Sequence, residues 1–341
     1  MLSGTSSEQR SGAALASAAC TNYDRLRRLR GEAGVSHPST TKPQARRQAW
    51  VTLLTDASYF AGVKALYQSL VESDTEYPLI VMVTASVPGD VLSRLTDLGP
   101  ELSLRRVEPL PMPAGTGGAP QYACAHFADC WAKLRMWEWE DEFDLLCYLD
   151  ADMLVLKCMD ELLLDGGDGG DCRAVQECFC PVSERRSLCA YLQPPGSPPP
   201  WPYFNAGLLV LRPCRALLAH MMRSLAACDL SEFPFAEQDF LNRYFCGQWD
   251  ALPWTYNASK ALYASHRGRG DCCFWDLSKV KNLHYTMAKP WDLKHPCHAG
   301  YERLNEIWRV AFVDPAQLAR ATLKAVLHER KTAREAEKTD D

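Results

Sequence analysis

The chain has 341 residues, 47% of them hydrophobic and ten of them tryptophan, enough to bury one large α/β domain or two ordinary ones. A formal net charge of −5 gives no electrostatic reason to expect nucleic acid or an anionic membrane as partner. No run of 18 apolar residues occurs, so no transmembrane helix is expected.

Residues 1–47 are rich in Ser, Ala and Arg, with Arg27-Arg28-Leu29-Arg30 and Arg46-Arg47, and read as a disordered basic arm. An organelle transit peptide is the alternative, but Glu8, Asp24 and Glu32 depart from its acid-poor composition, so a cytoplasmic location is expected. Trp50–Leu54 opens the fold as an apolar strand. Tyr59–Ser73 follows as a helix with Phe60, Val63, Tyr67 and Leu70 on one face. Tyr77–Thr84 is a second buried strand. Pro88 and Gly99 bracket a short helix, Leu102–Leu110 reads as a third strand, and a Pro- and Gly-rich loop spans Pro111–Pro120. A long helix is expected over Cys124–Glu140. Leu145–Leu149 then has the length and apolarity of a strand buried on both faces. Strand alternating with helix implies α/β architecture, a Rossmann-like, mostly parallel sheet with helices on both faces. No Gly-x-Gly-x-x-Gly follows the first strand, which removes a NAD-type dinucleotide site.

That fourth strand ends in Asp150-Ala151-Asp152. Ligand sites of open α/β sheets lie beyond the carboxyl ends of the strands. Carboxylates at i and i+2 on extended backbone point the same way and suit one hard divalent cation. Further on, Gly166–Gly170 is a flexible link and Pro194–Pro202 an irregular insertion. Phe204–Leu211 is another strand, followed by a helix to about Cys228, a helix within Pro234–Phe245 and a short strand over Val280–Tyr285. From Tyr301 the chain is helical, with Ala316–His328 apolar on one side, and Glu329–Asp341 is a charged, disordered end. The expected domains are the arm at 1–47, a catalytic domain at 48–300 and a helical extension at 301–341.

Fifteen cysteines is a high, odd count. Cys178-Phe179-Cys180 and Cys272-Cys273 do not make a zinc pattern, since no two Cys-x-x-Cys pairs occur. The cysteines are therefore read as reduced, small core residues. Asn257-Ala258-Ser259 is a formal glycosylation sequon, discounted for want of a secretory signal.

Five segments stand in fixed order: Lys133-Leu134-Arg135-Met136-Trp137; Tyr148-Leu149-Asp150-Ala151-Asp152; Phe204-Asn205-Ala206-Gly207; Glu237-Gln238-Asp239-Phe240-Leu241-Asn242; and His284 through Lys289-Pro290-Trp291. Over about residues 49–292 this series resembles glycosyltransferase family 8, the nucleotide-sugar transferases that include galactinol synthase and glycogenin. The resemblance implies a single GT-A type catalytic domain and a retaining, metal-dependent hexosyltransferase using a UDP-hexose, UDP-glucose or UDP-galactose. It implies Asp150, Asp152 and His284 as ligands of Mn²⁺, with Mg²⁺ the second choice. It further implies Leu53, Thr55, Tyr59, Lys133, Ala151, Gly207 and Lys289 as substrate-binding residues, and Asn205, Glu237 and Gln238 as catalytic candidates. Asp239 is a rival of Glu237, since acids at a helix start are expected from the helix dipole alone.

The chain departs from the family at three places. Ala151 stands where galactinol synthase commonly has glycine. The loop between His284 and Lys289 lacks the family's glycine. Cys124 and His126 occupy the neighbourhood of an arginine found in glycogenin. The acceptor is a hydroxyl, either myo-inositol by likeness to galactinol synthase or a protein tyrosine or glucan by likeness to glycogenin. The latter needs a homodimer that presents a tyrosine in trans, Tyr263 being the candidate. Two rivals remain: a non-catalytic sugar-nucleotide binder or scaffold on the same fold, and a haloacid-dehalogenase-type phosphatase, which also places Asp-x-Asp after an apolar strand.

Overall fold

The computed structural model describes residues 47–112, 122–124, 126–164, 170–178, 180, 189, 191, 202–268, 273–295 and 298–338, except the side chains of 333, 334 and 336–338. The expected basic arm, the 113–120 part of the Pro/Gly loop, most of the Gly166–Gly170 link and nearly all of the Pro194–Pro202 insertion lie outside these residues.

The chain opens with β1 (Gln48–Leu54), α1 (Phe60–Glu72), β2 (Leu79–Val83), α2 (Gly89–Thr96) and β3 (Leu102–Arg106). A single helical turn, α3 (Phe127–Cys130), leads into a 3-10 segment over Trp131–Glu138. Strands β4 (Leu145–Leu149), β5 (Met153–Val155), β6 (Cys172–Gln176) and β7 (Phe204–Leu211) follow. Then come α4 (Arg215–Ala226), α5 (Glu237–Tyr244), β8 (Asp250–Leu252), β9 (Ala258–Ser259), α6 (Lys260–His266) and β10 (Asn282–His284). The last helices are α7 (Glu302–Val313) and α8 (Leu318–Lys338).

The main sheet has the order β3-β2-β1-β4-β7-β6-β8. Its pairs are parallel except those of β7, which runs against both β4 and β6. The expected mostly parallel α/β sheet is therefore present. Successive residues of β1 serve opposite faces: Trp50 and Leu54 pack with α1 and α2, while Val51 and Leu53 pack toward the Trp131–Trp139 segment, α4 and α5. Burial on both faces explains why these strands read as unbroken apolar runs.

Chain order changes direction between β1 and β4, and a crevice opens at such a switch point beyond the carboxyl ends of the strands. Because β7 runs backwards, its first residues arrive at that same end, with Leu208 opposite Leu149. A second, small sheet of order β5-β10-β9 stands beside it and sets His284 opposite Met153.

The structure corrects two expectations. The helix expected over Cys124–Glu140 is a short α turn followed by a 3-10 segment. Three residues per turn align Trp131, Leu134 and Trp137 in one buried row and Lys133 and Met136 in another. Arg135 and Glu138 form the row turned outward and pair with each other. The charged end expected to be disordered continues α8 as far as Lys338. Its Ala, Lys, Glu and Arg content favours helix, and Lys331 lies 3.7 Å from Glu335 one turn on. The C-terminal helices also share a core with α1 and the small sheet: Leu304, Ile307 and Trp308 pack with Ala65, Leu154, Leu283 and Tyr285.

Ser69 joins α1 to the small sheet. Its fully buried hydroxyl donates to the Leu66 carbonyl at 2.8 Å and accepts from the Val155 amide at 3.0 Å. Ser69→Ala leaves the Val155 N–H buried without its acceptor, a loss of about 1–3 kcal/mol. The expected result is a thermal midpoint lower by several degrees in calorimetry, and an unchanged midpoint would remove this link from the fold's support.

Candidate active site

The Asp pair does not lie on extended backbone. β4 stops at Leu149 and the chain turns at once, with the Met153 amide donating to the Asp150 carbonyl at 3.1 Å. The turn is pinned on two sides: the Asp150 amide donates to the Gly207 carbonyl at 2.8 Å, and the Tyr285 amide to the Asp152 carbonyl at 2.9 Å. The two carboxylates converge across this turn on His284, the last residue of β10.

Each carboxylate divides its oxygens between a lysine and the histidine. Lys133 Nζ lies 3.0 Å from Asp150 Oδ1, which also accepts the Tyr148 hydroxyl at 2.8 Å. Lys289 pairs with Asp152 Oδ2. The remaining oxygens, Asp150 Oδ2 and Asp152 Oδ1, face His284 Nε2 at 3.8 and 3.2 Å. Burial opposes ionisation of Asp152, yet Lys289 and His284 hold its carboxyl well below the usual range. Two hard carboxylate oxygens and one imidazole nitrogen at one point are a donor set that fits a divalent cation of the Mn²⁺ or Mg²⁺ kind.

A hydrogen-bonded chain fixes which nitrogen of His284 faces the carboxylates. Glu177, acceptor-only as a carboxylate, takes the Asn205 side-chain amide at 2.7 Å. The Asn205 oxygen therefore faces the other way and accepts from Gly207 N–H at 3.0 Å and from Asn257 Nδ2 at 2.9 Å. That turns the Asn257 oxygen toward His284 Nδ1, 2.8 Å away, so Nδ1 carries the proton and Nε2 presents its lone pair. Asn257 is 2% exposed and committed to this chain, so the sequon is turned inward. Neither Asn257 nor Glu177 was singled out as a site residue from sequence. Asn257 had only the sequon as a signal, and Glu177 had none.

Lys133, nearly fully buried, lies between Asp150 and Glu237, at 2.8 Å from Glu237 Oε1. Burial alone would lower its pKa, but the two carboxylates hold it well above the ordinary lysine value. Burial raises the Glu237 carboxyl, an effect that Lys133 offsets in part. Glu237 is aimed by a left-handed residue before it, Ala236 at φ 49°. Its rival Asp239 is turned elsewhere: the Asp239 carboxylate accepts the Tyr203 hydroxyl and the Phe235 amide, both at 2.6 Å. Gln238 is tied at both ends, accepting from Ala206 N–H at 2.9 Å and donating to Tyr203 Oη at 3.0 Å.

On the β1 side, Leu53 is buried in the sheet core and Thr55 follows the strand end, where its carbonyl accepts the Thr84 hydroxyl at 2.9 Å. Tyr59 stands at the site's edge with Lys289 Nζ 5.7 Å from its ring centre. Burial and the two aspartates push the Tyr59 hydroxyl far up its scale. His126 lies 6.1 Å from Tyr59, ring to ring, and burial followed by Lys289 lowers its pKa. The loop to Lys289 has no glycine, and Met287 itself takes the left-handed conformation at φ 62°. Lys260 steadies that loop by donating to the Ala288 carbonyl at 2.5 Å. Gly62, unremarked within a helical pattern, is a further requirement. A Cβ there would lie 2.3 Å from the Ala151 carbonyl oxygen and 2.7 Å from Trp291.

The sequence profile of Glycosyl transferase family 8 matches residues 50–294. The chain belongs to glycosyltransferase family 8. It is 33% identical over 261 residues to galactinol synthase 1 of Ajuga reptans, covering 72% of this chain and 74% of that protein. Galactinol synthase 4 of Arabidopsis thaliana is 32% identical over 263 residues, with the same shares covered. Among solved structures, the galactosyltransferase LgtC, in complex with donor and acceptor sugar analogues, aligns at TM-score 0.52 and 21% identity over 76% of this chain and 95% of that one. The bifunctional glycosyltransferase WbbM aligns at 0.55 and 18% identity over 83% of this chain, which spans 52% of it. These alignments agree with a GT-A fold. Family 8 membership makes the chain a glycosyltransferase and sets aside the phosphatase reading.

In this family 8 chain Gly207 leaves no room for a side chain between Asp150, Asn205 and His284. A Cβ would lie 2.6 Å from His284 Cε1, 2.8 Å from Asn205 Oδ1 and 2.9 Å from Asp150 Oδ2. Gly207→Ala is expected to weaken divalent-cation binding by about 10–100-fold while circular dichroism stays native, the scale of disturbed outer-shell contacts. Titration of Mn²⁺ followed by electron paramagnetic resonance measures it, and native affinity would refute this packing.

Proposed function

We propose that this family 8 chain is a divalent-metal-dependent, retaining hexosyltransferase that moves a hexose from a UDP-sugar to a small polyol hydroxyl. The observation that carries the reading is the division of the aspartate oxygens. Lys133 and Lys289 each hold one oxygen, and the other two converge with His284 Nε2. A cation held there by Asp150, Asp152 and His284, Mn²⁺ by its mixed donor set or else Mg²⁺, would act as a Lewis acid on the donor's diphosphate.

The chain's own residues supply the rest. Lys289 offers a point charge to the phosphates, and Tyr59 beside it a ring for the uracil to stack on. Thr55 and the Leu53 backbone line the nucleoside end. Gly207 and Ala151 allow close backbone approach, and Asn205 keeps one amide hydrogen for a sugar hydroxyl. Glu237, screened by Lys133, is the carboxylate nearest the reacting carbon, with Gln238 holding the start of β7 against it. Glu237 engaged in an ion pair is a poor base, which favours attack from the face of the departing diphosphate. In that step the bond from the anomeric carbon to the diphosphate breaks and the bond to the acceptor oxygen forms. The acceptor's proton passes to the leaving phosphate oxygen, and configuration is retained.

Relatives named galactinol synthase favour UDP-galactose as donor and myo-inositol as acceptor. Self-glycosylation at Tyr263 is disfavoured, because that side chain is 5% exposed and its hydroxyl accepts from Arg267 at 2.6 Å. A cytoplasmic setting fits both a nucleotide-sugar donor and described cysteines that form no disulfide. Among the described residues no helix is long and apolar enough to cross a membrane.

The test is UDP release by the purified full chain with Mn²⁺, across UDP-galactose, UDP-glucose and UDP-xylose, with and without myo-inositol. One donor is expected to turn over, and Asp152→Asn to lower its turnover by at least about 100-fold with the fold intact, the scale of a lost Lewis acid. Donor binding in calorimetry without turnover under any condition would overturn catalysis in favour of a binding or scaffold protein.

A further inference from the structure

Two groups of three or more metal-ligating side chains converge among the described residues. One is the aspartate–histidine site. The other is Cys178, Cys180, Cys189 and His266, whose ligand atoms all lie within 4.8 Å of one another. We propose that these four residues form a structural zinc site, a Cys₃His centre separate from the aspartate–histidine site.

The reading of the cysteines as small core residues holds for Cys147 and Cys172, which lie within strands. It does not account for this cluster. Cys178 and Cys180 follow β6, Cys189 comes nine residues after Cys180, and His266 ends α6 far along the chain. The spacing misses the paired Cys-x-x-Cys signature because the fourth ligand is supplied by tertiary structure. His266 is fully buried, and its Nε2 lies 3.1 Å from Cys178 Sγ. Phe274 stacks on its ring at 4.3 Å and fixes the ring's orientation. Leu262, Tyr191, Trp254, Phe274 and Trp275 surround the cluster with apolar surface.

Thiolate sulfurs at about 2.3 Å from a tetrahedral zinc lie about 3.7 Å from one another, so the observed convergence is of the size such an ion needs. Three thiolates and one neutral imidazole are soft donors that select zinc over the hard cations suited to Asp150 and Asp152. The dry surroundings match a closed structural site with no open position for substrate. Binding releases the thiol protons to solvent, and no electron is transferred.

The position gives the ion a mechanical role. It ties the segment after β6 to the end of α6. Glu177 sits at its edge: the Cys178 amide donates to Glu177 Oε1 at 3.1 Å, while Oε2 begins the hydrogen-bonded chain that orients His284. Zinc thereby braces the far end of the polar chain behind the other site.

The full chain purified under reducing conditions is expected to carry about one zinc per molecule by inductively coupled plasma mass spectrometry. Asp152→Asn is expected to keep that zinc, whereas Cys189→Ser and His266→Ala are expected to lose most of it. Should those variants not fold, the wild-type chain refolded with Co²⁺ answers instead. Thiolate-to-cobalt charge transfer with the intense visible bands of a tetrahedral ion is the expected spectrum. A native chain without zinc, whose folded state ignores both zinc and a zinc chelator, would overturn the proposal. So would a disulfide between Cys178 and Cys189 found by peptide mapping, or a Co²⁺ spectrum without sulfur ligation.

Discussion

Two carboxylates can be held together below the surface of a protein only where positive charge meets each of them. In this chain that constraint organises the site. Asp150 and Asp152 are brought together by a backbone turn, and each is met by a lysine from a different part of the fold. Lys133 reaches Asp150 from the 3-10 segment under the sheet, and Lys289 reaches Asp152 from the loop after β10. Removing either lysine would leave an unbalanced buried charge, which costs more than the pair itself contributes. Lys133 also neutralises Glu237, so three carboxylates and two lysines form one electrostatic unit. The unfavourable burial of Glu237 becomes tolerable because Lys133 is already committed there.

Orientation comes from a different source. A neutral imidazole has only one lone pair, and the structure turns it toward the aspartates through amides that have a single consistent arrangement. Glu177 fixes Asn205, Asn205 fixes Asn257, and Asn257 fixes His284. Gly207 N–H gives the same answer independently by donating to the Asn205 oxygen. The arrangement demands that β7 approach closely, which is why Gly207 has no room for a side chain.

Much of this was legible in the sequence, and the limits have physical causes. β4 and β7 appear with the bounds their apolar runs announced, because a strand buried on both faces has no other way to satisfy its composition. The short strands β5 and β9 carry three and two residues, too few to show a period, and exist because each pairs with β10, itself read within Val280–Tyr285. The segment expected as an α-helix is largely 3-10, because residues such as Ala132, Lys133, Leu134, Arg135 and Met136 favour helix and composition does not carry its pitch. Charged and metal-binding types at the site were visible as motifs. Asn257, Glu177 and Gly62 were not, because their roles arise from what they touch after folding. His266 escaped for the same reason.

Backbone strain in the site follows from the same charge arrangement. Ala236 and Met287 both adopt left-handed conformations, each at a cost of about 1–3 kcal/mol, and each lies one or two residues from a charged site residue. Ala236 precedes Glu237, whose ion pair with Lys133 holds it inward. Met287 precedes Lys289 by two residues, and Lys260 and Asp152 grip the chain on its far side. A glycine at 287 would ease the turn but also loosen the unfolded and free states of the loop that carries Lys289. Beyond that loop, Trp291 packs at a tilt against Trp308 of α7 and closes over Gly62, so the C-terminal helices bear on the same turn. The site is therefore clamped from three directions: by the lysines, by the amide chain and by the C-terminal helices. The strained residues persist because the contacts around them over-determine their conformation.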